Sequence, residues 1–210
     1  MEYVDFVRFS DKLEWCGWRK WGYDAYITFY ESEPESTNVN SADSVKIIRG
    51  FLVKAESVPE LLSGLKKAEG VVGVLSSEIK VNREAVMRKK VDIILDSAER
   101  RLDYTTVKLA AEKDVIIEVS FSKFINSKGI RRMRLFEETV QLLRIIDKFD
   151  APFALTTAAH SPHELRQRRQ VEDFFAFLGA SVEKARMHAW KLLRRLTDER
   201  YIMDGVEVEE

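Results

Sequence analysis

The 210 residues carry 34 Lys and Arg against 35 Asp and Glu, and 45% are hydrophobic, a globular composition with apolar mass for one large domain. No uninterrupted apolar run nears the roughly 18–20 residues of a membrane-spanning helix, and MEYVDFVRF lacks the basic and apolar regions of a secretory signal. A single cysteine, Cys16, excludes an intramolecular disulfide and fits a reducing compartment, so a cytoplasmic location is expected.

Charge is unevenly distributed. Residues 1–80 hold 10 Lys and Arg against 13 Asp and Glu, residues 81–200 hold 24 against 18, and residues 201–210 hold four acids and no base. A basic centre between acidic flanks favours a polyanionic partner.

In chain order, Glu2 to Phe9 alternates as a first strand. Ser10 can cap a helix through Trp15, Trp18 and Trp21, whose spacing of three puts them on one face, read as packing against a sheet rather than a base-stacking platform. Ala25 to Tyr30 is a second strand, and the polar stretch Glu31 to Ser44 reads as a loop. Val45 to Val53 forms a third strand. Ser57-Val58-Pro59-Glu60 starts a helix that stops at Gly70. Further strands follow at Val71–Leu75, Val91–Leu95, Val115–Val119 and Pro152–Thr157. Between them, helices run from Asn82 to Lys89, from Asp103 or Tyr104 to Lys113, and through Leu135, Thr139, Leu142, Ile146 and Phe149. From His163 onward the pattern is helical, interrupted at Gly179.

Seven strands alternating with helices, with no linker, predict an α/β fold. The reading is a TIM-like (β/α) barrel of about seven parallel strands with surrounding helices, one domain over 1–210; an open doubly wound sheet is the alternative.

No glycine-rich phosphate loop, nucleophile elbow or paired-cysteine metal site is present. His160 and His163 follow the seventh strand, but the other strands contribute no histidine, so the pair reads as a polar loop rather than a metal site. Glu118, isolated in its strand, reads as a structural ion pair. Cations, by contrast, recur after strands. Arg83 follows the fourth, and Arg100 and Arg101 the fifth. Lys123, Lys128, Arg131 and Arg132 follow the sixth; Arg166, Arg168 and Arg169 follow the seventh. In a parallel barrel these loops leave on one face, and such a patch suits phosphodiester backbones. Arg131, Arg132 and Arg134 equally fit the solvated first turn of a helix, although cations there oppose its dipole.

The segments IKVNREAV, VDIIL, LDYTTVKLAAEKDVIIEVSFSKFI, PFALTTAA and HELRQRRQVEDFFAFLGA, in that order, resemble the family of ribonuclease P protein component 3, the archaeal relatives of the eukaryotic thirty-kilodalton subunit. The resemblance covers Ile79 to Ala180. It implies a seven-stranded barrel related to the polymerase and histidinol phosphatase metal hydrolases but without their metal-binding histidines. It implies a non-catalytic protein subunit that binds the catalytic RNA of ribonuclease P and assists removal of the 5′ leader from precursor tRNA. No cofactor is then bound by the protein itself, magnesium being used by the RNA. The implied partners are ribonuclease P RNA, the small protein component 2, other ribonuclease P proteins, and precursor tRNA as substrate of the whole assembly. The family's basic RNA-activating positions carry over to Arg83, Arg100 or Arg101, Lys123, and Arg166 with Arg169. The family's Arg-x-Pro-x-Asp run departs here to Arg166-Gln167-Arg168-Arg169-Gln170. The alternative on the same barrel is a metal-dependent phosphoesterase using His160, His163 and a carboxylate.

Overall fold

A computed structural model describes residues 1–9, 17–30, 39–42, 44–198, 201–203 and 206–207. The first part of the helix expected from Ser10 through Trp15, and residues 31–38 and 43 of the expected loop, lie outside them.

Strands form where β-branched and aromatic residues concentrate. They are β1 (Val4–Val7), β2 (Ala25–Tyr30), β3 (Val39–Ala42), β4 (Val45–Lys54), β5 (Val71–Leu75), β6 (Ile93–Ile94), β7 (Ile116–Ser120) and β8 (Phe153–Thr156). The order β1-β2-β4-β5-β6-β7-β8 is parallel throughout. Beyond β8, Ala159 forms a parallel bridge with Val7; the Arg8 amide donates to the Ala159 carbonyl at 2.7 Å, and the Ala158 amide to Phe6 at 3.0 Å. The seven strands thus curl into a nearly closed barrel.

The helices are α1 (Val58–Lys67), α2 (Ile79–Val86), α3 (Tyr104–Lys113), α4 (Ser122–Ile125), α5 (Gly129–Phe149), α6 (Arg168–Phe177) and α7 (Val182–Thr197). Ser57 and Asp103 cap α1 and α3 by accepting from the amides of Glu60 and Thr106. A short hairpin, β9 (Tyr201–Met203) with β10 (Val206–Glu207), follows α7.

Two expectations are corrected. Val39–Ala42, read as loop, is a strand antiparallel to β4, because backbone pairing needs no apolar side chains. The helix expected at 82–89 spans Ile79–Val86: Val81, Ala85 and Val86 are its buried face, and Asn82 donates to the carbonyls of Ser76 and Arg101. Of the Trp stripe, Trp18 is buried and stacks on Phe9 with centroids 5.4 Å apart, and Arg19–Trp21 form a 3₁₀ turn.

Alternate strand residues fill the barrel, including Phe6, Ile27, Phe29, Ile48, Ile93 and Leu95. The Phe29 ring occupies space left by two glycines: a Cβ on Gly50 would sit 2.4 Å from it, and one on Gly73 2.9 Å. Ala189, Leu192 and Leu193 of α7 join this interior cluster, so α7 packs against the barrel's own core. Leu61, Leu65, Val81 and Val107 belong to a second apolar layer between strands and helices. No described helix is long and apolar enough to cross a membrane.

Candidate functional site

The C-terminal ends of the parallel strands, where barrels of this kind carry their chemistry, hold charged side chains that point inward and meet. Arg8 continues the phase of Val4 and Phe6 on β1, and Glu118 that of Ile116 on β7. The two form an ion pair, with 5% and 0% of their side chains exposed. Glu118 also accepts from the Asp96 amide at 2.6 Å and the Thr156 hydroxyl at 2.8 Å. Arg8 lies over the Phe29 ring at 5.6 Å.

A second knot sits beside the first. Asp96, just after β6, accepts from Lys123 of α4 at 2.8 Å and Arg100 at 3.0 Å. The Ser120 amide and hydroxyl add hydrogen bonds at 2.8 and 3.0 Å. Arg100 reaches onward to the Glu118 carbonyl at 2.7 Å, joining the two knots. Burial opposes the charge on Asp96, but Arg100, Lys123 and the Ser120 amide outweigh it and hold its carboxyl below the usual range. Burial pushes the Lys123 ammonium down, and Asp96 pulls it partly back.

On the seam between β1 and β8, Asp5 is fully buried. Its carboxyl accepts from the Thr157 amide at 2.7 Å, the Thr157 hydroxyl at 2.5 Å and the Phe6 amide at 2.9 Å. Burial lifts its pKa from 3.8 to about 7 despite these hydrogen bonds, and Glu118 adds repulsion.

The cations expected to line one rim separate into four groups. Arg100 and Lys123 are buried around Asp96. Arg83, Arg101, Lys128, Arg131 and Arg169 are exposed, Arg83 pairing with Asp103 and Arg131 with Glu99. Such surface pairs add little to stability and leave the cations open to a competing anion. Arg132 donates to the Ser127 carbonyl at the start of α5, and Arg166 to the carbonyls of His163 and Leu165. Arg168 leaves the rim: it stacks over Tyr3, the residue before β1, at 3.7 Å and pairs with Glu172 at 2.5 Å. The Arg186 guanidinium approaches the same ring at 4.6 Å and also pairs with Glu172. Gathering of all ten cations on one face is therefore not what the fold produces.

Glu118 proves to be a structural ion pair, as its isolation in the strand suggests. Its partner is Arg8, whose charge in phase with Val4 and Phe6 is the sequence signal for an inward partner on another strand. His160 is exposed with Glu164 3.5 Å from its ring, and His163 is exposed in a 3₁₀ turn. Among the described residues, no group of three or more His, Cys, Asp or Glu could hold a metal ion.

Fold and site together define a parallel (β/α) barrel whose mouth is closed by its own Arg–Glu and Lys–Asp–Arg contacts. Two solved structures share the shape. A chain of an archaeal ribonuclease P determined with mature tRNA by cryo-EM superposes with a TM-score of 0.74 at 21% identity, over 99% of this chain and 98% of that one. Histidinol phosphate phosphatase of Lactococcus lactis, complexed with zinc, L-histidinol and phosphate, gives 0.51 at 11% identity, over 85% and 94%. At the sequence level, ribonuclease P protein component 3 of Archaeoglobus fulgidus is 53% identical over 77% of this chain and 81% of its own length. The family described as RNase P subunit p30 matches residues 19–200. The chain belongs to that family.

Proposed function

We propose that this protein is a non-catalytic protein subunit of ribonuclease P that binds the catalytic RNA and assists removal of the 5′ leader from precursor tRNA. The observation that carries the reading is the family membership, with a component 3 relative 53% identical. The site geometry agrees with it. Asp96 and Glu118, the buried carboxylates at the barrel mouth, are occupied by Lys123, Arg100 and Arg8, so they are not free to ligate a metal. The metal-dependent phosphoesterase reading is therefore set aside.

In this role the protein needs no cofactor of its own, and magnesium serves the RNA. Its partners are the ribonuclease P RNA, the small component 2 and other ribonuclease P proteins, with precursor tRNA as substrate of the assembly, in the cytoplasm. Exposed Arg83, Arg101, Lys128, Arg131 and Arg169 are the cations best placed to meet phosphates. RNA binding measured against salt tests this. Replacing Arg83, Arg101, Arg131 and Arg169 together lowers the slope of log affinity against log salt by about 3 to 4, given roughly 0.7–0.9 per phosphate contact. An unchanged slope removes these cations from the interface.

A further inference from the structure

Beside the Asp96 knot a cleft of about 380 Å³ opens between the loop after β6 and helix α5. Its size falls in the range of about 300–1,000 Å³ typical of small-molecule sites. The two sides differ in chemistry. Asp96, Arg100, Arg101 and Lys123 line the cleft on the side of the β6 loop and α4, while α5 contributes Leu135, Leu142 and Ile145 with the polar Glu138, Thr139 and Gln141 among them.

The cleft has unsatisfied polar capacity. One carboxylate, Asp96, faces two buried cations, so the floor holds an excess positive charge. An ammonium has three N–H donors, and Asp96 is the acceptor for Lys123 among the described residues. Thr139, 1% exposed and lining the same cleft, has a hydroxyl with no hydrogen-bond partner among the described residues. A buried hydroxyl left unpaired costs about 1–3 kcal/mol, and a ligand oxygen removes that cost. An oxyanion suits the Lys123 end. It leaves most of the volume, and the α5 wall with Leu135, Leu142 and Ile145 beside the polar Glu138 and Gln141, for an attached neutral body that has both apolar faces and hydrogen-bonding groups.

We propose that this cleft binds one nucleotide unit, its phosphate at Lys123 and Arg100 and its nucleoside along Leu135, Leu142 and Ile145. This deepens the ribonucleoprotein reading and rests on it. The unit comes either from an unpaired RNA nucleotide or from a free mononucleotide, since both present the same chemistry. Glu138, exposed on the cleft's outer edge, disfavours a second phosphate there and so favours a single unit over a continuous backbone track.

The test is a titration of the full-length, nitrogen-15-labelled chain followed by amide chemical shifts, with AMP, CMP, inorganic phosphate and a short single-stranded oligoribonucleotide as probes. Shifts clustered at residues 96–102, 123 and 138–145 on adding a mononucleotide support the site with a free nucleotide as occupant. The same cluster with the oligonucleotide alone supports it with RNA as the source. Equal shifts and affinity with inorganic phosphate reduce it to an anion site and overturn the nucleotide assignment. No cluster with any probe overturns the site altogether. If the chain then still stimulates leader removal, the subunit reading stands without it. Lys123→Met is expected to weaken binding at least tenfold. Thr139→Val, which removes only the unpaired hydroxyl, keeps the fold and weakens binding several-fold. Unchanged affinity in folded Thr139→Val overturns the assignment of that hydroxyl as a ligand contact, and unchanged affinity in folded Lys123→Met overturns the phosphate position.

Discussion

Asp96→Asn is the sharpest perturbation of the barrel mouth. The wild-type carboxylate is 1% exposed and compensates Lys123 and Arg100, themselves 6% and 3% exposed. The amide keeps shape and one acceptor oxygen but leaves both cations buried without a counter-charge, and turns an N–H₂ group towards one of its donors. Breaking a buried pair from one side costs about 3–5 kcal/mol. With an m value of about 1–3 kcal/mol per molar urea, the unfolding midpoint falls by at least about 1 M. The pH dependence follows from the lowered carboxyl. Asp96 stabilises the fold above its unfolded value of 3.8, and the contribution is lost as pH falls through the still lower folded value. The gap between wild type and variant therefore holds from pH 7 down to the ordinary carboxylate range and narrows below it. Urea unfolding by tryptophan fluorescence at several pH values reads both effects. A loss under about 1 kcal/mol at pH 7 refutes the assignment of Asp96 as counter-charge to two buried cations.

Asp5 has the opposite sign. With its pKa raised to about 7, the protonated form favours folding, so this contribution is lost as pH rises from about 4 through 7. Asp5→Asn flattens that slope, and denaturation at pH 5 and pH 8 shows the variant gaining on wild type at the higher pH; parallel pH profiles contradict it. Gly50→Ala drives a methyl to 2.4 Å from the Phe29 ring and destabilises by about 1–3 kcal/mol, with partial recovery when Phe29→Leu is added. Full stability in the single variant shows that the barrel interior is looser than described.

Elements set by local chemistry are legible in the sequence. Ala25–Tyr30 and Val71–Leu75 are found at their expected ends, because apolar runs bounded by turn residues define a buried strand. Ser57 with Pro59, and Asp103, mark helix starts for the same local reason. Strand β3 is not legible: Val39–Ala42 is held by backbone pairing to β4, and the short run Val-Asn-Ser-Ala does not announce a strand. At the mouth, a count of cations per loop says where the chain leaves each strand but not where the side chain turns. Lys123 and Arg100 turn inward because Asp96 is there; the Asp96–Arg100 spacing of four was the available hint. Arg168 turns away because Tyr3 and Glu172 hold it beside the residue that precedes β1. Long-range pairings such as Arg8 with Glu118, 110 residues apart, become visible only once the barrel nearly closes.

Reconstituted cleavage decides whether this chain acts as a ribonuclease P subunit. Precursor tRNA is incubated with the cognate ribonuclease P RNA at low magnesium, with the small component 2 present, with and without this chain. The account predicts that adding the chain stimulates release of the 5′ leader, and that the chain without RNA cleaves neither precursor tRNA nor a phosphomonoester. Absence of stimulation with both proteins folded, or metal-dependent hydrolysis by the protein alone, contradicts it.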